Sequence, residues 1–281
     1  MEELAYIEGQ FVSLSEAKVS VTDRGFVFAD GVYEVIAVYN RRAFRLEEHL
    51  VRLGISANAI HLRLPVDDIE LKKVIATGLE QSGFQEAQVY LQATRGAAPR
   101  SHAFPSEVKS NLVVTFRPLH QVPAKIRAKG VSVITAEEIR WNRCDIKSIA
   151  LLPNVLAKQK AVEGGAFEAV WVTKEGIVHE GAASNIFVVR DGGVSTPPKG
   201  EKILSGITRE VVLQCAQDLD LPVSESTLRI EELLQGAEVF LTSTTMEVLG
   251  VVDVDGKTIG NGTVGPITKR LNDALRQEVG R

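Results

Sequence analysis

Short apolar runs alternate with amphipathic helical stripes along almost the whole chain of 281 residues, and this alternation is its strongest constraint. Each stripe and each strand face needs an apolar partner, so the pattern calls for α/β units with helices beside sheets. Leu4 to Glu8 and Gln10 to Val12 flank Glu8-Gly9 as a tight hairpin. Gly31 to Tyr39 (GVYEVIAVY) is rich in Val, Ile and Tyr and reads as a buried strand, with Asn40-Arg41-Arg42 as the turn after it. Leu46, Leu50 and Leu53 recur at helical spacing. Asp67 and Glu70 then resemble a capping box, opening a stripe of Leu71, Val74, Ile75 and Leu79 that Gly83 stops. Val89, Leu91 and Ala93 alternate with polar neighbours as a half-buried strand should, and Leu112 to Phe116 is a further strand.

At roughly 150 residues per domain the length suggests two units. Pro118 to Pro123 (PLHQVP) is the best linker, because two prolines in six residues interrupt both periodicities. The expected division is an N-terminal α/β domain over 1–118, a linker over 119–123 and a larger, strand-rich C-terminal domain over 124–281. Within the second, strands are expected at 131–135, 169–173, 177–179, 186–189 and 239–241. Helices are expected at 152–162, on Ile207, Val211, Val212, Cys215 and Leu219, and on Ile267, Leu271, Leu275 and Val279.

Composition removes several classes of function. With 36 acidic and 32 basic residues the net charge is −4, and no basic stripe suits nucleic acid. Hydrophobic residues are 44% and charged residues 24%, as in ordinary globular proteins. Met1-Glu2-Glu3-Leu4 does not resemble a signal peptide, and no apolar run approaches the roughly 20 residues that span a bilayer. Cys144 and Cys215 fit no metal-ligand spacing, so no metal and a cytoplasmic location are the expectation. The glycines Gly260, Gly262 and Gly265 match a dinucleotide fingerprint, but no βαβ unit has room to follow them, so they read as loop glycines.

Three segments carry chemistry. Arg140 to Lys147 (RWNRCDIK) ends in a lysine before a helix; a half-buried amine can lose its proton and condense with a carbonyl. Val178 to Asn185 (VHEGAASN) sets a carboxylate, Glu180, at a tight turn of small residues. Ile203 to Glu210 (ILSGITRE) and Leu241 to Thr245 (LTSTT) place hydroxyls and backbone N–H groups at turns, the first opening a helix, which is the physics of an anion cradle.

In this order the segments resemble the fold-type IV pyridoxal-phosphate enzymes, and most closely the bacterial D-amino-acid aminotransferases. The matching blocks are Asp23 to Phe26 with Asp30 to Val35, Thr94 to Pro105 (TRGAAPRSHAFP), Ile139 to Lys158, Glu180 to Phe187, Ile203 to Val212 and Phe240 to Thr245, so the likeness runs from about residue 4 to 275. Arg100-x-His102 is the narrower mark of the D-amino-acid group; the Lys, Glu and Ile-Thr blocks are shared by the whole fold class. The resemblance implies an α/β fold with a small N-terminal domain and a C-terminal pseudo-barrel. It implies pyridoxal 5'-phosphate as cofactor and transamination between D-amino acids such as D-alanine and 2-oxo acids such as 2-oxoglutarate. It further implies that Lys147 bonds to the cofactor and moves the proton at the substrate Cα, that Glu180 pairs with the ring nitrogen, and that Arg52 grips the phosphate as a bidentate donor. The amides of Ile207 and Thr208, the Thr208 hydroxyl and the Ser243-Thr244 turn would complete the phosphate cradle, while Tyr33, Arg100 and His102 would hold the substrate carboxylate. A homodimer with shared active sites is the implied partner, with no nucleic acid and no membrane.

The chain departs from the group at Ala182-Ala183, where serines are usual, at Pro153-Asn154 and at Met246 with Leu249-Gly250. The competing enzyme readings are a branched-chain L-aminotransferase, an R-selective amine transaminase or an aminodeoxychorismate lyase. A ligand-binding module without catalysis is the reading from another class.

Overall fold

A computed structural model describes every residue from Met1 to Arg281. The chain forms two compact units, residues 1–120 with 146–150 and residues 121–145 with 151–281. In the first, β1 (Leu4–Ile7) and β2 (Gln10–Ser13) make the hairpin at Gly9, followed by α1 (Arg24–Phe28), β3 (Gly31–Tyr39), β4 (Arg42–Ala43), α2 (Leu46–Ala59), α3 (Asp68–Ser82), β5 (Ala87–Thr94) and β6 (Asn111–Pro118). The six strands form a sheet in the order β2-β1-β6-β5-β3-β4. All of its pairs are antiparallel. The predicted stripe on α3 does what its spacing requires: Leu71, Val74, Ile75 and Leu79 pack with Val89, Leu91, Val114 and Phe116 of the sheet. Asp67 caps α3 by accepting the Glu70 N–H at 2.9 Å, and Gly83 ends it in the left-handed conformation at φ 71°.

The second unit opens with α4 (Ala124–Lys129), β7 (Val131–Glu137), α5 (Leu152–Glu163), β8 (Glu168–Val172), β9 (Ile177–Gly181), β10 (Asn185–Arg190) and β11 (Gly193–Thr196). It continues through α6 (Ile207–Asp218), β12 (Val223–Glu225), β13 (Leu228–Arg229), α7 (Ile230–Leu234), β14 (Glu238–Ser243), β15 (Glu247–Val254), β16 (Lys257–Thr258) and α8 (Pro266–Glu278). Its sheet runs β12-β11-β10-β14-β15-β7-β8-β9-β13, with β16 on β15. The Gly181–Ser184 turn brings β9 back beside β10, so the sheet curls into the pseudo-barrel. Its interior is Val, Leu and Ile, among them Val133, Val170, Ile186, Leu241 and Leu249.

Two expectations are corrected. Residues 146–150 lie with the first unit, not the C-terminal domain, because their backbone pairs with β3: the Tyr33 N–H donates to Lys147 O at 3.0 Å and the Ile149 N–H to Gly31 O at 3.1 Å. The eight-residue strand β15 follows the Leu241–Thr245 block where no strand was expected. Its interior Gly250 obscured the pattern, and it is there because a Cβ would run into Val264. The glycine fingerprint is indeed loop and helix start: Gly260 and Gly262 have positive φ and Gly265 is the N-cap of α8. No helix is long and apolar enough to cross a membrane.

Candidate active site

In the first unit the site grows from β3 and α2. Successive strand side chains point to opposite faces, so Tyr33 and Glu34 diverge. Glu34 is a charged residue inside an apolar strand and is 0% exposed. Burial at that level requires partners, and α2 supplies them. Arg52 donates from Nε to Oε1 at 2.7 Å and from Nη2 to Oε2 at 2.8 Å, and His49 Nδ1 lies 2.7 Å from Oε2. An ionised carboxylate only accepts, so the His49 proton on that side sits on Nδ1. Burial pushes the His49 pKa below its ordinary value despite the upward pull of Glu34, so the ring is neutral at pH 7. Ser56, one helical turn beyond Arg52, receives the Lys147 N–H on its hydroxyl at 3.1 Å. One face of α2 thus holds both Arg52 and the backbone of Lys147. The Lys147 Nζ lies 4.3 Å from the Tyr33 ring centroid, and the Tyr33 ring stacks obliquely on Tyr90 at 5.7 Å.

The arrangement alters one expectation. The Nε/Nη2 edge of Arg52 is committed to Glu34, so that edge is not open to a phosphate as a bidentate donor. It also predicts an acid limb. Burial alone would raise the Glu34 pKa, but the hydrogen bonds from Arg52 and His49, with the charges of Arg52 and Lys147, overrule it and hold it at about 2. A depressed carboxylate stabilises the fold above its unfolded pKa, near 4.3, and that stability drains away as pH falls towards 2. The term is on the order of 3 kcal/mol. Glu34→Gln should therefore unfold more easily at pH 7 and show a flatter loss of stability between pH 5 and 2, measured by urea titration; a parallel acid limb in the two proteins would refute it.

Arg100 and His102 lie on the exposed loop after β5. They gather at Phe28: the Arg100 guanidinium is 5.1 Å from its ring centroid and the His102 ring 5.3 Å. Arg24, buried beneath, donates to the carbonyls of Ser101 at 2.5 Å and His102 at 3.3 Å. Asp30 in turn accepts from Arg24 Nε and Arg95 Nε, each at 2.8 Å. The Arg100 and His102 side chains are thus presented by a loop that a buried arginine pins from below.

In the second unit Glu180 is the penultimate residue of β9, 5% exposed. Arg140 Nη1 donates to its Oε1 at 2.6 Å, while Oε2 accepts from Asn185 Nδ2 at 3.1 Å and the Leu204 N–H at 3.0 Å. Each of these bonds favours the ionised form. Asn185 also donates to Leu204 O at 2.9 Å, tying β9 and β10 to the loop that leads into α6. Gly206 caps α6 without a side-chain hydrogen bond, and a Cβ there would land on Asn185 Oδ1. Ile207 and Thr208 form the first turn, with Thr208 buried. Asn185 pairs with Thr242 across β10 and β14, so Ser243 and the Thr244 turn leave the sheet at the same end as Glu180. The Thr242 hydroxyl is buried without a hydrogen-bond partner.

The fold therefore groups Tyr33, Arg52 and Lys147 in one unit, and Glu180, Ile207, Thr208 and Ser243-Thr244 in the other. Reading the sequence missed Glu34, His49 and Ser56 on the first side and Arg140 and Asn185 on the second. A charged residue inside an apolar strand was the available signal for Glu34. Asn185 and Arg140 carry no pattern of their own. Asn154 Nδ2 donates to the Ala182 carbonyl at 2.7 Å, so α5 braces the turn after Glu180.

Comparison with known proteins identifies the family. The family model of class IV amino-transferases matches residues 31–254. A D-alanine aminotransferase of Bacillus licheniformis is 43% identical over 271 residues, covering 96% of this chain and 95% of that protein. One of Staphylococcus haemolyticus is 41% identical over 274 residues, covering 98% and 97%. Among solved structures, the Escherichia coli branched-chain amino acid aminotransferase superposes with a TM-score of 0.92 at 26% identity, covering 99% of this chain and 94% of that one. A second branched-chain amino acid aminotransferase, solved with pyridoxamine 5'-phosphate, does so with a TM-score of 0.92 at 30% identity and the same coverage. The half-buried lysine beside β3, the triply bonded Glu180 and the family model together leave one assignment: the chain belongs to the class IV aminotransferases.

Proposed function

We propose that this aminotransferase moves the amino group of a D-amino acid such as D-alanine to a 2-oxo acid such as 2-oxoglutarate, giving pyruvate and D-glutamate, with pyridoxal 5'-phosphate as cofactor. The cofactor supplies, when bound, a carbonyl that condenses with amines and a ring that withdraws electrons from the carbon being deprotonated. The chain's own donors fit that group. Glu180 is an ionised acceptor suited to a ring N–H, Thr242 offers a buried hydroxyl with no partner, and α6 starts without a side-chain cap. Arg52, the amides of Ile207 and Thr208, the Thr208 hydroxyl and the Ser243-Thr244 turn would hold the phosphate. Lys147 would bond to the cofactor and then carry the proton to and from the substrate Cα. Its backbone anchors to Tyr33 and Ser56 restrict where that amine can reach.

The substrate assignment is carried by Arg100-x-His102 on the loop that Arg24 pins. With Tyr33, these two donors would bind the α-carboxylate. A homodimer with shared sites is part of the proposal, and exposed apolar residues support it. Helix α5 leaves Leu152, Val155, Leu156 and Val162 in solvent along its length, and α2 leaves Val51 and Ile55. Half-reactions read by absorbance of the bound cofactor test the stereochemistry. D-Alanine should convert the cofactor and L-leucine should not; the reverse would assign the chain to the branched-chain L-enzymes.

Arg100→Ala should raise KM for D-alanine steeply, because a carboxylate loses both arms of the guanidinium fork, while cofactor affinity barely changes. If the loop serves the partner subunit, mixing Arg100→Ala protein with Lys147→Ala protein should restore activity on subunit exchange. Each hybrid dimer would then hold one pocket lacking both residues and one intact pocket. Verified hybrids that stay inactive would place Arg100 in its own subunit or outside the site.

A further inference from the structure

Arg140 is the most heavily committed side chain of the second unit, and the proposed chemistry gives it no task. It lies between two carboxylates. On one side Glu138 takes Nε at 3.0 Å, Nη2 at 2.7 Å and the Arg140 backbone N–H at 2.9 Å. On the other, Nη1 reaches Glu180 Oε1 at 2.6 Å. Nη2 also donates to the Lys202 carbonyl at 3.2 Å, and the guanidinium lies over Trp171, 5.2 Å from the ring centroid. Behind Glu138, His179 Nδ1 stands 2.9 Å from Oε2. The remaining titratable neighbour is Cys144, whose thiol burial pushes up to about 11, so at neutral pH it is uncharged and does not compete for the guanidinium.

This is more apparatus than holding a strand end requires. A surface arginine paired to one carboxylate would contribute little to either. Here the guanidinium is anchored on three sides and only its Nη1 end is given to Glu180. Burial alone would raise the Glu138 pKa, yet the hydrogen bonds from His179 and Arg140 and the Arg140 charge bring it down to about 2, so the anchor stays charged.

We propose that Arg140 is a positioning residue for Glu180, keeping that carboxylate ionised and aimed so that the proton it shares with the cofactor ring resides on the ring nitrogen. The inference rests on the reading that Glu180 pairs with that nitrogen. Its physical basis is a difference in distance. Glu180 touches the guanidinium directly, whereas a ring atom bonded to Glu180 lies farther away. Coulomb energy falls with distance, so removing the positive charge raises the proton affinity of Glu180 more than that of the ring. The proton then moves from nitrogen to oxygen, and the ring loses its positive charge.

The test uses the full-length protein loaded with pyridoxal 5'-phosphate labelled with ¹⁵N in the ring, whose chemical shift reports protonation of that atom. In the wild type the signal should sit at the protonated position at neutral pH. In Arg140→Met, similar in length but uncharged, it should move towards the unprotonated position, and kcat should fall about tenfold or more with KM for the amino donor little changed. Arg140→Lys keeps a charge but cannot bridge both carboxylates, and should give an intermediate shift. If the Met variant does not fold, the Lys variant carries the test. A protonated signal in the wild type that neither variant moves would overturn the role of Arg140 and leave that of Glu180 standing. An unprotonated signal in the wild type would overturn the Glu180 reading, and this inference with it.

Discussion

Lys147→Ala should abolish transamination, by on the order of 10⁴-fold or more, while leaving the fold intact. The loss is large because one amine would perform two tasks, holding the cofactor carbonyl and moving the proton at the substrate Cα, and no neighbour can take over the second. Tyr33, 4.3 Å away at its ring centroid, is a phenol and a far weaker base. The fold should survive because the segment is held by its backbone. Its carbonyl accepts from Tyr33 and its N–H donates to Ser56, and alanine keeps both bonds. Stability should change by no more than about 0.5 kcal/mol. Cofactor should still bind through the phosphate donors, but the absorbance band that depends on covalent attachment should vanish. Retained turnover in this variant would remove Lys147 from the chemistry.

Glu180→Gln should lower turnover by roughly 10²- to 10³-fold, equivalent to about 2–4 kcal/mol. A glutamine has one acceptor oxygen where the carboxylate has two. If that oxygen faces Asn185 and Leu204, the amide nitrogen points at Arg140 Nη1, where the native contact is 2.6 Å, and two donors collide. If it faces Arg140, the Leu204 N–H and the Asn185 amide lose their acceptor. Either way the carboxylate that should keep the ring nitrogen protonated is gone, and the protein should also lose about 1–3 kcal/mol of stability. Glu180→Asp keeps the charge and should lose less activity. A near-normal rate for Glu180→Gln would make Glu180 a structural carboxylate of the β9 turn.

Both predictions concern residues that the sequence itself singles out, because each lies in a local block whose spacing is the signal. The lysine ends RWNRCDIK, and the glutamate opens a turn of small residues. The same holds for the secondary structure that packs locally. The α3 stripe, its Asp67 cap, its Gly83 stop and the GVYEVIAVY strand were all legible, since helix and strand periods are written in neighbouring residues. Arg100-x-His102 was legible too, although the arginine that pins its loop is far away in sequence, at position 24.

What depended on long-range pairing was not legible. That residues 146–150 lie with the first unit follows from pairing with β3 across more than a hundred residues, which no local period encodes. The partners of the site residues share this origin. Glu34 acquires its meaning when α2 brings His49 and Arg52 to it, Arg140 when β9 ends beside it, and Asn185 when the loop before α6 crosses its side chain. A hydrogen bond between residues 40 apart leaves no periodic trace in the chain, and a buried charge announces only that some partner must exist. The sequence by itself determined the elements whose periods are written locally, though not β15, and singled out the residue types proposed for the chemistry. The tertiary structure alone decided how those residues are held, because desolvation makes every buried polar atom find its partner through the fold.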